Sequence, residues 1–220
     1  MESQSLKLNV SESIGEVSAE WTQATQAIAT LTLAHGAGAG MNHPFMVNLA
    51  HELAMQGIAS LRFNFPFIEK KSRRPDVPAI AHLTIARALE KAQVLFPNIP
   101  LFVSGKSFGG RMSSQLLALQ PNAAVRGIVF FGFPLHPAGR PGTDRAEHLK
   151  NVSLPKLFFQ GTKDELAQWE LVTSVVQDLQ NSTLVKLEGA DHTFKKGKEN
   201  LLPLLAQETA SWVRQITASK

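Results

Sequence analysis

The chain has 220 residues, 44% hydrophobic and 18% charged, a composition typical of one domain with a full core. Its 22 Lys and Arg against 18 Asp and Glu give a net charge of +4, less than nucleic-acid binding usually requires. The absence of Cys excludes a thiol nucleophile, and the absence of Tyr excludes dehydrogenases with a Tyr general acid. Without a membrane-spanning apolar run or a secretory pattern, we expect a cytoplasmic protein with no membrane partner.

Short apolar segments alternate with segments of helical periodicity along the chain. The N-terminal stretch 6–21 alternates weakly and predicts a hairpin at the edge of a sheet. In chain order, the sequence then predicts strands at 27–34, 58–63, 99–103, 127–131, 156–159 and 183–187, and helices at 44–56, 78–95, 107–119, 165–179 and 200–216. Nearly continuous apolar strands separated by helices indicate a mostly parallel central sheet with helices on both faces. We therefore expect one α/β domain over residues 1–220, with its chemistry at the carboxyl ends of the strands.

A G-x-S-x-G pentapeptide, with Ser107 at its centre, follows one predicted strand and opens a predicted helix. In that setting the pattern is typical of a nucleophile elbow, a tight turn that exposes a reactive serine. A phosphate-binding P-loop is excluded, because its first glycine would fall on Pro100. A serine that only caps the helix remains the alternative.

The sequence HGAGAG at 35–40 follows the first predicted parallel strand. A dinucleotide-binding G-x-G-x-x-G turn is disfavoured, because its last glycine would fall on Met41. We favour a loop whose backbone N–H at Ala37 stabilises an oxyanion together with the N–H of Phe108. A plain flexible turn is the other alternative. The further residues of this loop that we expect at the substrate are His35, Gly36 and Gly38.

A serine hydrolase with such a turn requires an acid that follows the nucleophile in the chain. Asp164 comes just after the predicted strand 156–159 and its turn, at the carboxyl edge of the sheet. Asp178 falls inside a predicted helix, and Asp191 is adjacent to the candidate base. Asp164 is therefore the predicted acid, with Glu165 as the alternative.

Of the seven histidines, only His192 follows the last predicted strand, and we take it as the general base. His136, after the strand 127–131, is the rival base or a residue of the substrate pocket. His51 and Glu52 begin an H-E-x-x-H zinc motif, but Met55 stands where the second histidine would be. We expect neither a metal nor a cofactor.

Basic residues are abundant in the loops predicted to surround the site. We expect Lys106, Arg73 and Arg74 to contact the substrate and to favour an anionic one. The alternative is that these groups are solvated, or that the two arginines pair with Asp76. The full basic set is Lys70, Lys71, Arg73, Arg74, Lys106, Arg111, Arg140 and Lys163, against Glu69, Asp76, Asp144 and Glu165.

Together these segments resemble the α/β-hydrolase superfamily over nearly the whole chain. The segments LAHGAGAGM, FNFPF, RRPD, GKSFGGRM, GFPLHP, FFQGTKDE and GADHTF are similar to small cap-less hydrolases of the dienelactone-hydrolase type. Within this type, the segments look like a bacterial group related to the third subunit of the non-specific-lethal acetyltransferase complex and to a testis-expressed homologue. The resemblance implies a triad of Ser107, Asp164 and His192. Dienelactone hydrolase itself has a Cys nucleophile, so Ser107 departs from it.

The expected function is hydrolysis of a small ester or thioester through an acyl-enzyme, by a monomer or a small homo-oligomer. Only about two dozen residues separate the strands that end at Phe131 and begin at Lys156. They are too few for a helical cap, so we expect short or slender substrates. The alternative is a catalytically silent scaffold or binding subunit, because a fold does not by itself imply an activity.

Overall fold

The computed structural model describes residues 2–218, which form a central sheet of eight strands. The strands are β1 (Ser3–Ser11), β2 (Gly15–Thr22), β3 (Ala29–Ala34), β4 (Ile58–Phe63), β5 (Leu101–Lys106), β6 (Val125–Phe131), β7 (Lys156–Gly161) and β8 (Ser182–Leu187). They are arranged in the order β1-β2-β4-β3-β5-β6-β7-β8. Strands β3 to β8 are parallel, whereas β1 and β2 form an antiparallel hairpin that pairs with β4. The predicted edge hairpin and the mostly parallel sheet are confirmed.

Helices cover both faces of this sheet, as the sequence predicts. They are α1 (Pro44–Met55), α2 (Pro66–Glu69), α3 (Pro78–Leu95), α4 (Phe108–Leu119), α5 (Trp169–Gln177) and α6 (Leu202–Ala218), with a 3-10 helix at Asp144–Asn151. Helices α1 and α6 share one apolar core with the sheet, and α3, α4 and α5 share the other. In α1, Met46, Leu49 and Leu53 are buried at helical spacing, so one apolar stripe of the helix lies on the sheet.

Helix α5 differs most from its predicted bounds, because it begins at Trp169 rather than at residue 165. The residues before it form a turn, in which the backbone N–H of Leu166 donates to Asp164 Oδ1 at 2.8 Å. Neither α2 nor the 3-10 helix is predicted from the sequence, since such short elements have no clear periodicity.

Among residues 2–218, no cap domain covers the carboxyl ends of the parallel strands. Residues 132–155, which join β6 to β7, contain only the 3-10 helix, so the expected cap-less architecture is confirmed. In the part of the chain that the structure describes, no helix is both long and apolar enough to cross a bilayer.

Candidate active site

Ser107 lies in the turn between β5, which ends at Lys106, and α4, which begins at Phe108. Its φ of 50° and ψ of −114° are rarely adopted by residues other than glycine, and such a conformation costs about 1–3 kcal/mol. The turn is held from both sides, because Ser107 N donates to Phe131 O at 3.3 Å and Ser107 O accepts from Arg111 N at 3.1 Å. The Ser107 side chain forms no capping hydrogen bond with α4, so the helix-cap alternative is wrong.

Both glycines of the pentapeptide are required by close backbone packing. A β-carbon on Gly105 would lie 2.4 Å from Gly110 N, and one on Gly109 would lie 2.5 Å from Ala34 O. These neighbours are main-chain atoms of the helix and of β3, so neither can move aside as a flexible side chain could. The pattern therefore reflects the tight contact of α4 with the central strands.

Three side chains from three loops form one hydrogen-bonded chain at the carboxyl edge of the sheet. Ser107 Oγ lies 2.8 Å from His192 Nε2, and His192 Nδ1 lies 2.7 Å from Asp164 Oδ2. Because a carboxylate only accepts hydrogen bonds, His192 Nδ1 carries the proton and Nε2 is the acceptor for the Ser107 hydroxyl. Glu165, the alternative acid, is exposed.

The carboxylate of Asp164 is fully buried and is oriented by further donors. Its Oδ1 accepts from Leu166 N, and its Oδ2 accepts from the side-chain amide of Gln160. Gln160 is itself buried, and its Oε1 accepts from Phe133 N at 3.0 Å. No sequence motif marks Gln160 as a partner of Asp164. Its one signal was a polar residue at the end of the apolar strand β7.

The loop that carries His192 is built around Asp191. Asp191 Oδ1 accepts from Thr193 N, from Thr193 Oγ1 and from Lys195 N at 2.8–2.9 Å. Phe194 follows with a φ of +64°, and its N–H donates to Asp191 O at 3.0 Å. Asp191 thus shapes the turn that presents the imidazole.

Lys106 contacts the same loop from β5. Its ammonium group donates to the carbonyl oxygen of His192 and lies 4.6 Å from the centre of the Phe194 ring. Burial lowers the pKa of Lys106 to about 8, despite the attraction of Asp164 and Asp191. Lys106 lines the cleft beside Ser107, but its ammonium group is directed into the protein. Its contact with substrate stays a prediction.

The loop after β3 passes directly over Ser107. A β-carbon on Gly36 would lie 3.7 Å from Ser107 Cβ, and Ala37 and Gly38 line the cleft beside it. Within residues 2–218, the backbone N–H groups of Ala37 and Phe108 have no hydrogen-bond partner. Two unpaired donors therefore lie near the serine.

His35 does not line the cleft, contrary to expectation. Its buried ring accepts from Phe65 N at Nε2, at 3.0 Å, and donates from Nδ1 to Gly36 O, at 2.7 Å. Burial lowers the pKa of His35 to about 4, so the ring is neutral at pH 7. It ties the loop after β3 to the loop after β4.

His136 is also buried behind the site rather than facing substrate. Its Nε2 accepts from Gln168 N at 3.0 Å, and its Nδ1 lies 2.9 Å from Pro137 O. Because both ring nitrogens are occupied by backbone groups, the rival-base and pocket assignments of His136 are wrong. The ring connects the loop after β6 with the loop that contains Asp164.

Two clefts meet at Ser107 and share the side chains of Ala37 and Leu166. The first, of about 390 Å³, is mainly apolar and also contacts His192; we call it the histidine cleft. The second, of about 360 Å³, extends along the other side of the serine. Arg111 and Arg145 line it, and we call it the arginine cleft.

Most of the basic loop residues lie away from both clefts. Arg73 and Arg74 are exposed and line neither, and no ion pair within residues 2–218 joins them to Asp76. Of the predicted basic set, only Lys106 and Arg111 contact a cleft. The expected positions of Arg73 and Arg74 beside the substrate cleft are therefore wrong. Nothing in the local sequence of Arg145 indicates that it lines a cleft.

This fold and this site agree with the family to which the sequence matches. A family model of the alpha/beta hydrolase domain matches residues 27–217. The chain belongs to this family. The match runs from β3 into α6 and includes all three hydrogen-bonded side chains. It confirms the α/β-hydrolase resemblance.

Solved structures of α/β hydrolases superpose on nearly the whole chain. A dienelactone hydrolase from Anabaena variabilis has a TM-score of 0.80 at 20% identity, with 97% of each chain covered. An α/β serine hydrolase without lid from Xanthomonas campestris has a TM-score of 0.70 at 20% identity, with 99% of this chain and 94% of that one covered. The esterase domain of a Rhodothermus marinus protein has a TM-score of 0.73 at 17% identity, with coverages of 98% and 99%. At these identities the likeness establishes the fold.

Proposed function

We propose that this α/β hydrolase cleaves small carboxylic esters or thioesters, with Ser107 as the nucleophile. The observation that carries the proposal is the chain of hydrogen bonds from Ser107 through His192 to the buried Asp164. A strained serine, an acceptor nitrogen on its hydroxyl and a carboxylate behind the imidazole are the arrangement required for acyl transfer. The esterase and serine hydrolase among the similar structures support this reaction class.

In the first half of the reaction, Ser107 Oγ attacks the substrate carbonyl as its proton passes to His192 Nε2. Asp164 holds the imidazole in the required tautomer and stabilises its charged form. The unpaired N–H groups of Phe108 and Ala37 are the proposed donors to the oxyanion, and each such donor contributes about 3–4 kcal/mol. Collapse of the intermediate expels the alcohol or thiol, which takes the proton from His192.

In the second half, water attacks the acyl-enzyme and gives its proton to His192, and Ser107 leaves with that proton. The product is a carboxylic acid, and the enzyme returns to its starting protonation state. Because no cap covers the clefts, we expect soluble short esters to be preferred over long-chain triglycerides.

Steady-state hydrolysis of 4-nitrophenyl butyrate and a butyryl thioester tests this assignment. We expect Ser107→Ala, His192→Ala and Asp164→Asn each to lower kcat by about 10³-fold or more. His136→Ala is the matched control, and its kcat should remain above the kcat values of those three variants. Loss of activity in the control with retention in His192→Ala would overturn the assignment of the base. A wild type that hydrolyses neither substrate nor reacts with a fluorophosphonate would favour a non-catalytic scaffold.

A further inference from the structure

The arginine cleft holds two guanidinium groups that lack an acidic partner. Arg111 lies one helical turn after Ser107 in α4, and Arg145 comes from the 3-10 helix between β6 and β7. Among the residues that the structure describes, neither forms an ion pair, and Arg111 Nε is buried with no hydrogen bond. The one hydrogen bond from the Arg145 side chain is a long one, 3.5 Å to Pro134 O.

This arrangement is unfavourable without a ligand. Burial lowers the pKa of Arg111, and the positive charge of Arg145 lowers it further. A buried donor without a partner costs free energy, and two like charges at close range repel. An anion between the two arginines would remove both penalties.

The other titratable groups near the arginines do not neutralise them. Asp76 lines the same cleft, but its Oδ2 accepts from Phe67 N at 3.1 Å, and neither arginine lies within ion-pair distance. His148 is hydrogen-bonded to Ser114 Oγ, and burial, followed by the charge of Arg111, lowers its pKa to about 4. His148 is therefore neutral at pH 7. The cleft keeps an excess of positive charge.

The position of His192 decides which part of an ester enters which cleft. His192 lines the histidine cleft and not the arginine cleft. Because the imidazole must protonate the leaving group, the alcohol or thiol lies in the histidine cleft. The acyl group then extends from Ser107 into the arginine cleft, past the apolar side chains of Leu166 and Pro78.

We propose that Arg111 and Arg145 bind a carboxylate at the far end of the acyl group, so that the preferred substrates are monoesters or monothioesters of a dicarboxylic acid. The apolar wall of the cleft fits the methylene chain, and paired guanidinium groups match a carboxylate. The inference rests on the proposed esterase function. The sequence-based expectation of an anionic substrate included Arg111 in its basic set but not Arg145, and it named Lys106, Arg73 and Arg74 as the substrate contacts.

The test compares mono-4-nitrophenyl adipate with its ω-carboxamide, a neutral ester of nearly the same size. We expect wild-type kcat/KM to be about 10- to 100-fold higher for the adipate at low ionic strength, since hydrogen bonds to charged groups are strong. Added salt should reduce that ratio. Arg111→Met and Arg145→Met should each bring the ratio towards one, whereas Arg140→Met, at an exposed loop arginine, should leave it unchanged.

Binding of free adipate, measured by calorimetry, tests the subsite without catalysis. We expect Arg111→Met and Arg145→Met each to bind adipate about 10-fold more weakly than the wild type. Circular dichroism of both variants checks that they fold. If the wild type hydrolyses both esters with a kcat/KM ratio of one and does not bind adipate, the carboxylate subsite is refuted but the proposed esterase function stands. No hydrolysis of either ester, with adipate still bound through both arginines, would instead overturn the proposed function. Equal binding by wild type and variants contradicts the subsite in either case.

Discussion

Replacement of Lys106 by methionine should make the protein more stable at neutral pH. The buried ammonium group has its pKa lowered from 10.5 to about 8, so folding at pH 7 carries the cost of enclosing a charge that the unfolded chain keeps in water. Methionine has a similar length and no charge, and apolar replacements of buried ions are often neutral or stabilising.

The magnitude follows from the two pKa values. Because the folded pKa lies below the unfolded one, the unfolded state binds more protons between pH 8 and 10.5, and wild-type stability rises with pH there. Between pH 7 and pH 9.5, this linkage raises the free energy of unfolding of the wild type by about 2 kcal/mol relative to Lys106→Met. Lys106→Met should therefore lose most of its stability advantage over the wild type at pH 9.5.

Urea denaturation at both pH values measures this difference, and Lys163→Met, at an exposed lysine, is the matched control. The same variant removes the donor to the His192 carbonyl, so we also expect kcat to fall, by about 10-fold, with little change in KM. If the stability difference between wild type and Lys106→Met is the same at pH 7 and pH 9.5, the buried-charge reasoning is refuted.

Three further changes test the surroundings of the site. Burial lowers the pKa of His35 to about 4, so this group contributes about 2 kcal/mol to the stability that the wild type loses between pH 7 and pH 5. His35→Gln should therefore lose about 2 kcal/mol less than the wild type over that interval, whereas the exposed His51→Gln should lose as much as the wild type; equal losses in the wild type and His35→Gln would contradict this. Gln160→Leu removes a donor to the Asp164 carboxylate and should lower kcat about 10-fold, so an unchanged kcat would exclude a positioning role. Gly109→Ala should destabilise the fold by more than about 1 kcal/mol in urea, because its β-carbon meets main chain; a neutral result would argue against that contact.

The sequence predicts the order of the elements because buried parallel strands and amphipathic helices differ in hydrophobic period. It also predicts which loops carry Ser107, Asp164 and His192, since each follows its own strand and the strands end at one edge of the sheet. The structure places these three side chains in hydrogen-bond contact. Whether the three side chains meet depends on the order of the strands in the sheet, which local sequence patterns do not determine in detail.

The remaining features depend on the direction in which individual side chains point. His35 and His136 lie in the right loops, but their rings turn away from the clefts to accept backbone N–H groups, and neither partner is close in sequence. Arg145 enters the site from a segment with no motif, while the conspicuous Arg73 and Arg74 remain in solvent. Such contacts arise from tertiary packing and leave no periodic signal in the sequence.

The most direct test of the central claim is reaction of the protein with a fluorophosphonate, followed by mass spectrometry of the intact chain and of its peptides. The account predicts one adduct per chain, on Ser107, and no adduct on Ser107→Ala with its fold intact by circular dichroism. His192→Ala should react far more slowly than the wild type, because the serine hydroxyl then lacks its proton acceptor. An adduct on another serine, or undiminished labelling of Ser107→Ala, would contradict the assignment of Ser107 as the nucleophile.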